Sequence, residues 1–230
     1  MPIRSNSQEK EDIKNFIKTN EEKVRINLIE YDYYNFAKIN NDVTKNYISN
    51  EYEFILFSNN DIVLLNDVIS GMIKQYKNDL RAGTIGARLH YDDNLLQHDG
   101  VNLVINPKTK AFMAIHHNSK NYYNFNIGTI RIFGCTGALL MIRKQTFEKV
   151  GMFNEIYEEC FEDVELNLQT IKLGLNNYLC GDCVAHHLES PTRMEIPNQR
   201  DRIERDANKL LKLYKENFNI LKPYTAIAYE

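Results

Sequence analysis

Three short groups of polar residues interrupt or follow apolar runs, and each could do chemistry. The first is Ser58 to Asp61 (SNND), after the run EFILF. Asp61 offers a hard oxygen ligand suited to Mg²⁺ or Mn²⁺, and Asn59 and Asn60 add hydrogen-bonding groups without charge. The same residues also suit a turn that caps the next segment. The second group is CFEDVE, Cys160 to Glu165. Acidic residues in a first helical turn complement the helix dipole, and a carboxylate placed there is also positioned to act as a general base. The third is AHHLESPTR, Ala185 to Arg193, behind an apolar run. A histidine after a strand can complete a metal's coordination, although lone histidines are more commonly surface or satisfied core residues. His98, in LLQHDGV, is a further polar spot beside the turn residues Asp99 and Gly100.

The four cysteines are Cys135, Cys160, Cys180 and Cys183. Cys180 and Cys183 form a CGDC, which fits half a zinc site or a redox pair. A structural zinc site needs four ligands, and no second CxxC completes one. Buried or incidental thiols fit the spacing better.

These residues need a scaffold, and the composition supplies one. The 230 residues suffice for one moderately large domain with a real core. Hydrophobic residues at 43% and charged residues at 26% are ordinary for a globular protein. The 28 basic and 31 acidic side chains are well mixed and leave a net charge of -3, so no basic footprint for nucleic acid exists. No apolar run reaches the roughly 20 residues of a membrane span, and MPIRSNSQEKEDIK does not read as a signal peptide. The expectation is a chain without a transmembrane segment, in the cytoplasm.

Hydrophobic periodicity places the elements. Glu9 to Thr19 reads as an amphipathic helix, and Val24 to Ile29 alternates like a strand. YDYYNFAKINNDVTKNYIS reads as loop then helix, followed by a strand from Tyr52 to Phe57. Asp67 to Tyr76 reads as a helix, and Gly83 to Leu89 as a strand. The polar stretch Asp92 to Asn126 carries small strands, one around Val101 to Ile105. Gly134 to Lys144 reads as a turn then a buried strand, and Lys144 to Val150 as a short helix ending at Gly151. Val164, Leu168 and Ile171 line one face of a helix from Asp163 to Leu173, closed by Gly174. A strand from Tyr178 to Ala185 and a long helix from Arg202 to Phe218 follow. Strands alternating with helices indicate an α/β fold with a mixed, mainly parallel sheet. No linker divides the chain, so residues 1–230 are expected to form one domain, with a helical C-terminal extension from about residue 200.

In order, these segments resemble family-2 glycosyltransferases of the GT-A fold, in the branch related to rhamnosyltransferases. NFAKINN (Asn35 to Asn41) resembles the family's FNFSxxNN stretch, and FSNNDI (Phe57 to Ile62) its LNND form of the DXD motif. GARLHYDDNLLQHDGVNL (Gly86 to Leu103) is similar to its GxxLxYPDGxIQHxGV segment. TGALLMIRKQTFEKVGMFNE (Thr136 to Glu155) resembles TGAxLxxRxxFxxVGGFDE, with Met152 in place of the second glycine. FEDVELNLQTIKLG resembles the family's ED helix, and HLESPTR (His187 to Arg193) its HxESxSR close. The resemblance covers about residues 3 to 200.

The resemblance implies an inverting, metal-dependent transfer of a sugar from a UDP- or dTDP-linked nucleotide-sugar donor to a hydroxyl acceptor in a glycan or polysaccharide. It assigns Mn²⁺ or Mg²⁺ to Asp61 and His187 and the base to Asp163. It places Glu162 on the acceptor, and Asn41, Asn59, Asn60 and the backbone near Gly137 along the donor. It begins at the end of the family's second strand, so it also implies a domain lacking the first strand and helix and part of the nucleotide-base pocket. The sheet edge so exposed would need a partner chain or a second copy to cover it. A non-catalytic remnant acting as an interaction module is the alternative expectation.

Overall fold

The structure, a computed structural model, describes residues 7–106, 112–116, 128–188 and 198–227. Helices α1 (Ser7–Asn20) and α2 (Phe36–Tyr47) come first, and the Asn35 side chain caps α2 by accepting from the Lys38 amide. Strands β1 (Phe54–Ser58) and β2 (Ile62–Leu64) flank the SNND stretch. Helix α3 (Val68–Asn78), capped by Asp67, leads into β3 (Ala82–His90). Next come β4 (Leu96–His98), β5 (Val101–Ile105), β6 (Phe112–His116) and β7 (Thr129–Ile132). β8 (Leu139–Arg143), α4 (Lys144–Lys149), α5 (Glu162–Lys172) and β9 (Asn176–His187) follow. The chain continues through α6 (Gln199–Glu216), α7 (Phe218–Leu221) and β10 (Thr225–Ile227). None of the described helices is long and apolar enough to cross a membrane.

The main sheet has the order β1-β8-β3-β9-β2, with β4 added to β3 and β7 to β9, and β10-β5-β6 form a smaller sheet. The α/β architecture is the expected one, but the balance of strand directions is not. Within the main sheet only β3 and β9 pair in parallel; the other pairings are antiparallel. β8 gives two of these, because it enters from the 133–138 turn rather than a helical crossover and runs backwards between β1 and β3, and β2, β4 and β7 give the others. β1, β3 and β9 therefore point the same way, and their C-terminal ends share one rim. SNND lies on that rim and joins β1, at one edge of the sheet, to β2 at the other.

Val24 to Ile29 forms no strand. The alternation is present, but Val24 and Leu28 stay exposed and no ladder partner lies beside them among the described residues. The polar stretch is described only at 92–106 and 112–116, so the remainder of that expectation lies outside the described residues.

Burial follows strand alternation. On β8, Leu139 and Met141 pack with Val68, Met72 and Tyr76 beneath α3, while Leu140 and Ile142 face Phe57, Phe147 and Phe153. β3 is buried along its whole length, as a central strand should be. α6 shares a third apolar cluster with α5, through Leu210 and Tyr214 against Val164 and Leu168. Gly134 is fixed by packing, since a Cβ there would lie 2.1 Å from Asn167 Cγ.

Candidate active site

The rim gathers most of the predicted residues. Ser58 pairs with Leu139, and the Asn59 amide extends that ladder by donating to the Ala138 carbonyl at 2.9 Å. Three residues on, Ile62 pairs with His187, and the Leu188 amide donates to the Asp61 carbonyl at 3.0 Å. Backbone pairing thus brings two distant side chains together: Asp61 Oδ1 lies 3.3 Å from His187 Nε2, and each side chain is only 14% exposed. Asn59 Nδ2 is also 3.3 Å from His187 Nε2, and Asn60 sits exposed beside them. On the other side of the imidazole, His187 Nδ1 is 2.9 Å from Gln97 Oε1, while Gln97 Nε2 donates to the His187 carbonyl at 3.1 Å.

This pair fits a divalent cation. Ligand atoms on adjacent corners of an octahedral Mg²⁺ site, at about 2.1 Å from the ion, stand about 3 Å apart, close to the Asp61–His187 separation. No group of three or more His, Cys, Asp or Glu side chains suited to a metal gathers among the described residues. Two protein ligands that leave other positions to phosphate oxygens and water are the usual arrangement for Mg²⁺ with a nucleotide.

The 136–138 turn connects this pair to the acidic helix. While Ala138 accepts from Asn59, the Gly137 amide donates to Asp163 Oδ2 at 2.8 Å. Asp163 Oδ1 accepts from the Val164 amide at 2.7 Å, so both carboxylate oxygens engage backbone at the start of α5. Phe161, just before α5, has a φ of 80°, a left-handed conformation that bulky residues rarely adopt. Glu162 and Glu165 are buried in the first turn of α5, and burial pushes the nearby Tyr157 hydroxyl pKa well above its ordinary value, with Glu165 and Glu162 adding to the rise. A Cβ at Gly137 would meet Phe36 and Asp163 only at ordinary contact distances of 3.4 and 3.5 Å, so a small side chain is sterically tolerable there.

Several candidates sit elsewhere. Asn41 is 3% exposed; its Nδ2 donates to the Phe153 carbonyl and to Glu155, and its Oδ1 accepts from the Phe153 amide. Its amide clamps the 153–155 turn, and no bond joins it to the Asp61–His187 pair. His186 faces Asn94 instead of Asp61. His98 accepts from the Thr136 amide at 3.3 Å, supporting the turn that Asp163 also holds. Cys180 and Cys183 are buried beneath α3, where β9 bulges opposite Ala87 and Arg88, with Cys183 against the Val68 carbonyl. Glu189 to Arg193 of the HLESPTR motif lie outside the described residues.

Sequence reasoning missed three buried polar residues that hold the site. Gln97 braces His187, Asn167 donates to the carbonyls of Cys135 and Asp163, and Asp206 accepts from the amides of Glu158, Glu159 and Cys160. Apart from the Asp163 carbonyl, which lies on the same helix as Asn167, their partners are distant in sequence, and the local pattern carries no signal for them.

No known family profile matches the chain. An uncharacterized protein, y4gI, of Sinorhizobium fredii (strain NBRC 101917 / NGR234) is 25% identical over 187 residues, 79% of this chain and 20% of that protein. The O-antigen biosynthesis protein RfbC of Myxococcus xanthus is 26% identical over 164 residues, 70% of this chain and 12% of that protein. The chain therefore spans a fifth or less of these curated relatives. Among solved structures, GalNAc-T7 with UDP, GalNAc and Mn²⁺ aligns over 85% of this chain and 38% of its own, with a TM-score of 0.63 at 9% identity. The chain has the GT-A glycosyltransferase fold that its motifs resemble.

Proposed function

We propose that the chain is an inverting glycosyltransferase that takes a sugar from a UDP- or dTDP-linked donor and passes it to a hydroxyl of a glycan, in polysaccharide assembly and from a cytoplasmic location. Asp61 and His187 would hold Mn²⁺ or Mg²⁺. A cation there supplies Lewis acidity to the departing nucleoside diphosphate. Asn59 and Asn60, on the same rim, are placed to hydrogen-bond the donor. Asp163 would take the proton from the acceptor hydroxyl, because a carboxylate that accepts two backbone amides keeps further lone pairs for it. Glu162, one residue earlier, would bind the acceptor. Asn41 is left out of the donor contacts, because its amide is engaged at Phe153 and Glu155.

The observation that carries the proposal is the 136–138 turn, bonded to Asn59 on one side and to Asp163 on the other. It ties the candidate metal ligands and the candidate base into one rigid unit. The likeness to GalNAc-T7, crystallised with UDP and Mn²⁺, supports the donor class, and the likeness to an O-antigen biosynthesis protein supports a polysaccharide product. β1 pairs with β8 alone among the described strands, and its other side is where a strand from a longer chain, a second copy or a partner would add.

One observation favours a second reading, a non-catalytic interaction module. Both oxygens of Asp163 bind backbone, as a purely structural cap would. Calorimetric titration with UDP and dTDP, with and without Mn²⁺, separates the two. Binding that requires both Mn²⁺ and an intact Asp61, followed by turnover with a donor panel, is the expected result. A folded protein that binds neither nucleotide would leave the interaction module.

A further inference from the structure

β4 contains an irregularity at the site. His98 pairs with Leu89 and Leu96 with His90, so Gln97 is the extra residue of a β-bulge. Bulges re-aim a side chain, and this one turns Gln97 onto the last residue of β9. Gln97 is 5% exposed, and both ends of its amide bind the same residue. The Nε2 end meets the His187 carbonyl at 3.1 Å, and a carbonyl oxygen only accepts, so the amide orientation is settled. The Oε1 end then faces His187 Nδ1 at 2.9 Å and also only accepts, so Nδ1 carries the hydrogen. In the neutral ring the lone pair is left on Nε2, the nitrogen 3.3 Å from Asp61. Asn59 Nδ2 stands at the same 3.3 Å from that Nε2. A histidine side chain free in water prefers its hydrogen on Nε2, the tautomer that blocks ligation there.

We propose that Gln97 is a positioning residue that locks His187 in its Nδ1–H tautomer and so holds the Nε2 lone pair beside Asp61, ready for a divalent cation. The proposal rests on the metal reading of Asp61 and His187.

Long-range proton–nitrogen correlation of His187 in the metal-free protein reads the tautomer directly, with His187→Ala assigning the signal. Calorimetry with Mn²⁺ and UDP reads the affinity. The wild type should show Nδ1–H. Gln97→Leu should lose that signal and weaken Mn²⁺ binding about 10- to 100-fold, the range for a hydrogen-bond partner of a metal ligand. Gln97→Glu keeps an acceptor and should retain Nδ1–H, and it carries the test if the leucine variant does not fold. An Nδ1–H signal that survives in folded Gln97→Leu, or disappears in folded Gln97→Glu, overturns the proposal. A wild type that binds no Mn²⁺, yet loses Nδ1–H on Gln97→Leu, upholds the lock and overturns the metal reading instead.

Discussion

Asp206 is a fully buried carboxylate on α6, and its removal is a sharp test of how the acidic helix is held. Its Oδ2 accepts from the amides of Glu158, Glu159 and Cys160 at 2.9, 2.7 and 3.3 Å, and Lys209 donates to Oδ1 at 2.9 Å. Those amides belong to the loop that delivers Glu162 and Asp163. Asp206→Ala leaves all three without this acceptor. The three bonds are half-buried, so each amide left without its acceptor costs toward the low end of about 1–3 kcal/mol, and the total should be about 3–5 kcal/mol. Asp206→Asn keeps an oxygen for the three amides and loses chiefly the Lys209 pair, at about 1–2 kcal/mol. For a chain of this length 1 kcal/mol moves Tm by about 2–4 °C, so alanine should lower Tm by about 6–20 °C and asparagine by about 2–8 °C. Urea unfolding followed by circular dichroism, beside calorimetric melting, measures both. An alanine variant within about 1 kcal/mol of wild type, or one no worse than asparagine, would refute the reasoning.

Other outcomes are equally specific. Asp163→Asn should lower kcat by about 10²- to 10⁴-fold, the range for a general base, while Mn²⁺-dependent UDP affinity stays unchanged, as turnover and calorimetry would show. Gly134→Ala drives a methyl into Asn167 and should cost about 1–3 kcal/mol, whereas Gly137→Ala should stay within about 0.5 kcal/mol; urea midpoints check both. Asp79 accepts from the Asn176 side chain, the Arg81 amide and the Tyr178 hydroxyl, and these bonds, the Asn176 one foremost, hold its carboxyl pKa below the usual range. A depressed carboxylate stabilises the fold above its unfolded pKa and loses that contribution as pH falls through its folded value. Asp79→Asn should therefore be less stable than wild type at neutral pH, with the gap closing in acid, as melts across pH would record.

Much of the scaffold was legible because its signals are local. α5 announces itself through Val164, Leu168 and Ile171 with Gly174 beyond, and it forms at Glu162–Lys172. Val24 to Ile29 misled because alternation makes no strand without a neighbour to pair with. Strand direction was misjudged for a similar reason: nothing in LLMIR says that β8 runs backwards between β1 and β3. Within the site, Asp61 and His187 could be named by resemblance, yet their contact depends on β2 pairing with the far end of β9. Gln97 and Asp206 were invisible because their partners lie 90 and 46 to 48 residues away, and an isolated Gln or Asp reads as surface. Asn41 erred the other way, as an amide on a helix that looked available until the fold supplied Phe153 and Glu155.

The path of SNND over the rim limits its length. β1 and β2 stand four strand gaps apart, about 19 Å in a flat sheet. Only four Cα–Cα links join Ser58 to Ile62, and they reach at most about 15 Å. A flat sheet would snap the tether, so the sheet must curl until its two edges draw closer, and the irregularities in β3 pairing lie where such a curl can occur. Surface loops usually tolerate an added or deleted residue. This one closes through a turn at Asn60 and Asp61, so an added or deleted residue there would shift Asp61 relative to His187.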